Sequence, residues 1–124
     1  MFEIQGVDFI RIPVQDIERA KDFYGRVLGL PDGPTQHEDW AEYQAGNVTL
    51  AVMTPETHEE EFVPLAPATF AFRVSDVAEA KAKLEAAGID VRDIWDSGVC
   101  HGARFRDPDG NSILLHRRYK AHAD

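Results

Sequence analysis

Apolar residues alternate with polar ones near the N-terminus, where Ile10, Ile12 and Val14 occupy every second position. This period of two predicts a strand with one buried face. Asp16 follows as a helix N-cap, apolar residues then recur at three- and four-residue spacings, and Gly29 is of the type that commonly ends a helix. The pattern therefore predicts a strand that leads directly into an amphipathic helix.

The same pattern recurs later in the chain. An offset of 60 places Val14 on Val74 and Asp16 on Asp76, and the second helix pattern ends at Gly88. Matching strand and helix signals at a fixed spacing indicate an internal repeat, whose copies usually cannot bury their apolar faces alone. We therefore expect the two halves to pack as one unit.

Each half also ends alike, with a turn and a strand. Gly46 and Asn47 precede one apolar strand pattern, and Gly110 and Asn111 precede the other, so the offset has drifted to 64. Further strand candidates precede these turns, around residues 34–38, 40–43, 89–95 and 103–106. Each half is therefore predicted to be β-α-β-β-β.

The region between the halves, residues 55–67, contains three prolines and an acidic run. We interpret it as a solvated linker whose charges form an exposed surface. The predicted fold class is α+β, with one domain over 1–124 that comprises module 1 (5–54), the linker and module 2 (68–118).

Composition limits the classes of function. The chain has 124 residues, a net charge of −9, a pI near 4.9 and a single cysteine, Cys100. A lone cysteine cannot form an intramolecular disulfide, which favours a reducing cytoplasm. Few cations are available to neutralise phosphates, and no apolar run approaches the roughly 18 residues of a membrane span, so we expect neither nucleic acid nor membrane as a partner.

Three segments carry a family resemblance: residues 16–24 (DIERAKDFY), 27–30 (VLGL) and 105–111 (FRDPDGN). Together with the repeat, they closely resemble the vicinal oxygen chelate superfamily, the group of glyoxalase I, bleomycin-resistance proteins and extradiol dioxygenases. The resemblance covers roughly residues 5–118. It implies two βαβββ modules that form a curled mixed sheet around a ligand cavity, with the helices outside.

The resemblance also implies where a metal is held in family enzymes. Four side chains, one from the first and one from the last strand of each module, bind a divalent cation through N or O atoms. Counting from the helix cap and from the turn glycine places these positions at Phe9, Leu50, Thr69 and Leu114. Three of these residues have no donor atom, so we expect no metal and no cofactor, and an apolar cavity lining instead.

Strand alternation extends the predicted lining. If Phe9 and Thr69 face the cavity, Arg11 and Arg73 do too. In the last strand Ser112, Leu114 and His116 share that face. If residues 107–110 form a four-residue hairpin loop, Arg106 pairs with Asn111 and His101 lies opposite His116, whereas a bulge would change which residues face which way. The predicted ligand-binding residues are Phe9, Arg11, Trp40, Leu50, Val52, Thr69, Arg73, Leu114 and His116.

Arginine and histidine on this face favour recognition of a carboxylate, phosphate or polarised carbonyl. In the alternative interpretation, Arg11 and Arg73 lie at the rim and pair with acids, and His116 belongs to a basic surface. The functional hypothesis we favour is a metal-free, cytoplasmic protein that binds a small organic molecule, as resistance proteins of the family do. Such a protein is either a homodimer, which we expect, or a pseudo-symmetric monomer.

Two other hypotheses stay open. The chain is an enzyme of the lyase, isomerase or dioxygenase type if His101 and His116 act as catalytic acid and base, or hold a displaced metal with a carboxylate. A cavity filled by side chains would instead indicate a role in dimerisation or regulation.

Overall fold

The computed structural model of the chain describes residues 2–67 and 69–121. The described residues fall into two compact units, of which unit 1 ends at Pro64 and unit 2 begins at Leu65. This division lies inside the predicted linker. That the two units form one domain stays a prediction.

Unit 1 forms a four-stranded mixed sheet with one helical connection. Its elements are β1 (Phe9–Pro13), α1 (Ile17–Lys21), a π-helical segment (Asp22–Val27), β2 (Asp32–Gln36), β3 (Trp40–Gln44), β4 (Thr49–Met53) and a 3₁₀ turn (Pro55–His58). The strand order is β1-β4-β3-β2. The pair β1–β4 is parallel and the other pairs are antiparallel.

Unit 2 repeats this arrangement. Its elements are β5 (Phe70–Arg73), α2 (Val77–Ala86), β6 (Trp95–Asp96), β7 (Cys100–Arg106) and β8 (Ser112–Arg118). The strand order is β5-β8-β7-β6, again with a parallel pair of first and last strands. The predicted α+β class and the two β-α-β-β-β modules are confirmed.

Both helices begin where the sequence predicts. The Asp16 carboxylate accepts a hydrogen bond from the Arg19 amide at 3.1 Å, and the Asp76 carboxylate accepts one from the Glu79 amide at 3.0 Å. Each aspartate satisfies an amide that would otherwise lack an acceptor in the first turn. The repeat therefore extends to the way in which each helix starts.

The first helix differs from the prediction, because its second half winds as a π-helix. The Leu28 amide donates to the carbonyl of Phe23, five residues back, at 2.9 Å. Within this segment Phe23 and Tyr24 are both buried although they are adjacent in sequence. The three- and four-residue spacing predicted an α-helix throughout, which is wrong for residues 22–27.

In unit 1 the helical segments pack on one face of the sheet. The rings of Tyr24 and Tyr43 stack at 6.3 Å, and the Tyr43 hydroxyl donates to the carbonyl of Lys21 at 3.5 Å. Other buried members of this core are Ile12, Val14, Ala20, Phe23, Ala41, Leu50 and Val52. Burial of each large apolar side chain contributes about 1.5–3 kcal/mol, so this face carries much of the stability of unit 1.

The core of unit 2 lies on the corresponding face of its sheet. The buried side chains from β7, β8 and α2 are Ala103, Phe105, Ile113, Leu115, Val77 and Leu84. Val91 adds to this core through a bridge to Phe105. Lys81 of α2 donates to the carbonyls of Val91 and Arg92, which holds the segment after the helix in place.

A buried asparagine fixes the loop before β8. Asn111 is fully buried, its side-chain amide donates to Asp107 Oδ2 at 2.8 Å, and its Oδ1 accepts from the Leu65 amide at 2.7 Å. The Ser112 amide in turn donates to the carbonyl of Leu65 at 2.7 Å. The beginning of unit 2 is therefore attached to its last strand through one side chain and one backbone bond.

We expect Asn111→Ala to destabilise the protein by about 2–3 kcal/mol, because the Leu65 amide and the Asp107 carboxylate each lose a buried partner. Urea unfolding followed by circular dichroism measures this change. The matched control is Asn47→Ala in the corresponding turn of unit 1, where the residue is exposed; its effect should stay within about 0.5 kcal/mol. Equal effects of the two substitutions would contradict this role for Asn111.

Candidate functional site

Strand pairing assigns every sheet residue to one of two faces, because directly paired residues project to the same side. The helix face of each sheet carries the core described above. We call the opposite side the open face. In unit 1 it includes Phe9, Arg11, Trp40, Glu42, Ala51 and Met53, of which Ala51 and Met53 are buried, and in unit 2 it includes Ala71, Arg73, Trp95, Arg104, Leu114 and His116.

Two predicted ligand-binding residues lie on the wrong side. Leu50 pairs with Ile10 and Tyr43, and Val52 pairs with Ile12, so both project to the helix face. Leu50 is only 1% exposed and Val52 is fully buried. The prediction that they line an open site is wrong, and their role is to pack the core.

The error arose in the turns. The loop between β3 and β4 has four residues, 45–48, whereas the loop between β7 and β8 has five, 107–111. The residue four positions after the turn glycine therefore projects to the helix face in unit 1, where it is Leu50, and to the open face in unit 2, where it is Leu114. The same extra residue overturns the predicted pairing of Arg106 with Asn111, since Arg106 pairs with Ser112.

Backbone hydrogen bonds identify the true equivalent positions. The Val14 amide donates to the Met53 carbonyl at 2.9 Å, and the Val74 amide donates to the His116 carbonyl at 3.0 Å. The last strands are therefore related by an offset of 63, which makes Ala51 the partner of Leu114. With this offset, the positions that the family resemblance implies for the metal ligands are Phe9, Ala51, Thr69 and Leu114.

These four residues do not fit a divalent cation. Phe9, Ala51 and Leu114 carry only carbon in their side chains, and the Thr69 hydroxyl donates to the carbonyl of Ser112. A divalent cation held as the resemblance implies needs N or O donor atoms. Within residues 2–67 and 69–121, no group of three or more His, Cys, Asp or Glu side chains is placed to hold a metal.

Several side chains on the open face of unit 1 contact other side chains of the same unit. The Phe9 ring packs edge-on against Trp40 at 5.2 Å, and the Trp40 indole N–H donates to Glu42 at 2.8 Å. Arg11 forms an ion pair with Glu60 of the acidic run. The interpretation that Arg11 pairs with an acid is therefore the one that the structure shows.

The open face of unit 2 has a different character. Arg73 pairs with His116, His116 with Gly102, and Gly102 with Trp95, so these four residues form one row across all four strands. The indole of Trp95 lies directly over Gly102, where a β-carbon would come within 2.1 Å of Trp95 Cζ2. The rings of Trp95 and His116 are 6.2 Å apart. Because Gly102 has no side chain, the Trp95 indole has room to lie over the strand.

Charge is divided unequally between the units. Residues 1–64 contain 4 Lys or Arg and 13 Asp or Glu, whereas residues 65–124 contain 9 of each, so the whole net charge of −9 arises in the first half. On the open face of unit 2, neither Arg73 nor Arg104 forms an ion pair with any described carboxylate. Within the described part of the chain, that face therefore presents two arginines whose charge no carboxylate pairs with.

The two predicted catalytic histidines are not brought together. His101 pairs with Arg117 and Asp96, and it projects to the face opposite His116. There it stacks on Tyr119 at 4.4 Å, with Nε2 3.3 Å from Asp96 Oδ2. The predicted pairing of His101 with His116 is wrong, and the displaced metal site that depends on it has no geometric support.

Sequence reasoning missed Arg104 and Gly102 as members of this face. Both follow from alternation along β7 once Gly102 is paired with His116. The loop has five residues, which shifts that pairing by one, and the composition of the turn alone did not predict this length. Arg73, Leu114 and His116 do share one face, as the alternation predicted.

A repeat of two β-α-β-β-β units with these strand orders defines a class of small mixed-sheet proteins. The chain belongs to the Glyoxalase/Bleomycin resistance protein/Dioxygenase superfamily, whose family model matches residues 6–115. It is 27% identical to the uncharacterized protein YraH of Bacillus subtilis (strain 168), over 87% of this chain and 94% of YraH. The family predicted from the sequence motifs is thereby confirmed.

Two crystal structures are similar to the chain. A glyoxalase family protein from Bacillus anthracis has a TM-score of 0.79 and 26% identity, over 95% of this chain and 98% of that one. TnmS3, an antibiotic binding protein from Streptomyces sp. CB03234, has a TM-score of 0.74 and 26% identity, over 95% of this chain and 99% of that one. In the part of the chain that the structure describes, no helix has the length and apolarity of a membrane span. The cytoplasmic location stays a prediction.

We expect Gly102→Ala to displace the Trp95 indole, because the added β-carbon would overlap it. In a Trp40→Phe background, in which Trp95 is the remaining tryptophan, its emission should shift and its collisional quenching by iodide should change at least twofold. The matched control is Gly6→Ala, where a β-carbon meets nothing within 4 Å. Unchanged Trp95 emission in Gly102→Ala would contradict the packing described.

The hydrogen bonds to the Asp96 carboxylate should make the stability of the protein depend on pH. Hydrogen bonds from the Gly98 amide and then the Tyr119 hydroxyl lower the pKa of Asp96, and the bond to Asp96 raises the pKa of Tyr119. The stabilisation from Asp96 is therefore complete above its ordinary pKa of 3.8 and is lost as the pH falls through the lowered value. Asp96→Asn should bring the pKa of Tyr119 down towards its ordinary value.

Titration of ¹³C-labelled tyrosine by NMR measures this change. Tyr43 supplies an internal control, since its pKa is raised chiefly by burial and should not respond to the substitution. A Tyr119 pKa that is the same in Asp96→Asn and in the unmodified protein would contradict the assignment.

Proposed function

We propose that the protein binds a small organic molecule without a metal ion, on the open faces of its sheets. The observation that carries the proposal is the identity of the four residues at the family's metal positions, Phe9, Ala51, Thr69 and Leu114. Replacement of donor atoms by carbon removes the chemistry that polarises two adjacent substrate oxygens. At Phe9 and Leu114, which are at least partly exposed, it leaves apolar surface of the kind that small-molecule sites commonly have, whereas Ala51 is fully buried.

The character of the open faces supports this proposal. Phe9 is 43% exposed and Trp95 is 42% exposed, so large aromatic surfaces face outward from the sheets. Aromatic rings next to a small number of polar groups are the usual composition of a ligand site. Similarity to TnmS3, an antibiotic binding protein, supports the same class of function at 26% identity.

An enzymatic role is the second candidate, and a single observation favours it. His116 lies between Arg73 and Gly102 in one row, so an imidazole and a guanidinium project from paired positions on one face, and the guanidinium could stabilise developing negative charge. His101 and Arg11 are no longer part of this hypothesis, because the first lies on the other face and the second is paired with Glu60. Loss of turnover with retained binding in His116→Ala would establish this role.

Protein that has been dialysed against Zn²⁺, Ni²⁺ and Mn²⁺ and then against buffer should contain no stoichiometric metal by elemental analysis. Native mass spectrometry of the same protein, purified without chelator, should show any retained organic ligand persisting after EDTA treatment. The reason is that three of the four residues at the expected metal positions, Phe9, Ala51 and Leu114, have no donor atom in their side chains. One metal ion per chain would overturn the proposal.

The homodimer and the absence of nucleic-acid partners stay predictions. Sedimentation velocity of the full chain measures the first of these, and it should be done with and without ligand. A dimer of the kind found in resistance proteins would be compatible with the proposed binding role.

A further inference from the structure

We infer that the open face of unit 2 binds an aromatic anion, through the row formed by Arg73, His116, Gly102 and Trp95 with Arg104 beside it. This inference rests on the proposed function and deepens it by naming the class of ligand. All five of these residues lie in unit 2.

The row has the dimensions of a flat organic ligand. Its members lie directly opposite one another on four neighbouring strands, which are about 4.8 Å apart. The row therefore spans about 14 Å between the backbones of Arg73 and Trp95. An aromatic ring system with a carboxylate fits along such a row, with the ring at one end and the charge at the other.

One end of the row is built for stacking. The indole of Trp95 covers Gly102, with its tilted neighbour His116 at a ring distance of 6.2 Å, and it remains 42% exposed. Tryptophan presents a large rigid surface, and offset or edge-on ring pairs are favourable beyond the area that they bury. An aromatic ligand gains more from this platform than an aliphatic one of equal size.

The rest of the row is built for negative charge. Arg73 ends the row on β5, and Arg104 lies two residues along β7 from Gly102 on the same face. Both guanidinium groups lack a carboxylate partner among the described residues, in a chain that has an excess of nine acids. The planar donor fork of arginine matches a carboxylate in bidentate geometry.

Unit 1 supplies an internal comparison. The equivalent row there consists of Pro13, Met53 and Trp40, which are uncharged. The arginine on that open face, Arg11, is already neutralised by Glu60. Two copies of one scaffold thus differ in the property that an anion would require: among the described residues, Arg73 and Arg104 of unit 2 have no carboxylate partner and share a face with the exposed ring of Trp95.

The experiment measures binding of 2-naphthoate to the full chain by isothermal titration calorimetry, against two comparison probes. One is 2-naphthylmethylammonium, which has the same ring and the opposite charge, and the other is cyclohexanecarboxylate, which has the charge without the aromatic ring. We expect 2-naphthoate to bind at least tenfold more tightly than either, and its affinity to fall as salt is raised.

Substitutions then locate the site. Arg73→Gln and Trp95→Leu should each weaken 2-naphthoate binding at least tenfold, and Arg73→Lys should weaken it less than Arg73→Gln because it retains the charge and loses only the fork. The matched control is Arg117→Gln, next to His116 in sequence but on the opposite face, which should leave the affinity within twofold. Thermal unfolding of each variant verifies that it folds.

Each outcome separates this inference from the proposed function. Preference for the cationic probe, or equal losses in Arg73→Gln and Arg117→Gln, would overturn the inference and leave metal-free binding intact. Absence of 2-naphthoate binding, together with a retained organic ligand in native mass spectrometry, would also overturn the inference and leave metal-free binding intact. A stoichiometric metal in the purified protein would overturn the proposed function itself.

Discussion

The parallel pairing of the first and last strands in each unit is the constraint on which the other features depend. It is anchored where the amide of Val14 meets the carbonyl of Met53, and where the amide of Val74 meets that of His116. Once this register is fixed, alternation determines which side chains enter the core and which remain on the open face. A shift of one residue would place Leu114 and His116 in the core and Ile113 and Leu115 outside it.

Much of the fold could be predicted because its signals are local. Apolar alternation, the two aspartate caps and the glycines after the helices depend only on neighbouring residues, and both modules follow from them. The site was predicted less well, since it depends on pairing between distant strands. Leu50 and His101 were misplaced because two similar turns differ by one residue, and nothing in the composition of 45–48 and 107–111 states their lengths in the folded chain.

The two units show how one scaffold can diverge without a change of fold. Their helix caps, strand orders and anchoring hydrogen bonds correspond closely, yet the residues that project from the open faces do not. Arg11 meets Glu60 in the first unit, whereas Arg73 stands beside His116 in the second. Because these positions contribute little to either core, they can be exchanged at small cost in stability.

The concentration of negative charge in residues 1–64 has a kinetic consequence. A dissolved anion that approaches the chain experiences the summed field before it experiences any particular arginine, and that field is repulsive. Added salt screens the long-range repulsion more strongly than a close contact, so association with an anion is expected to quicken while the bound complex weakens. Ionic strength would then change residence time more than occupancy, and the acidic half would act as an electrostatic filter on the rate of encounter.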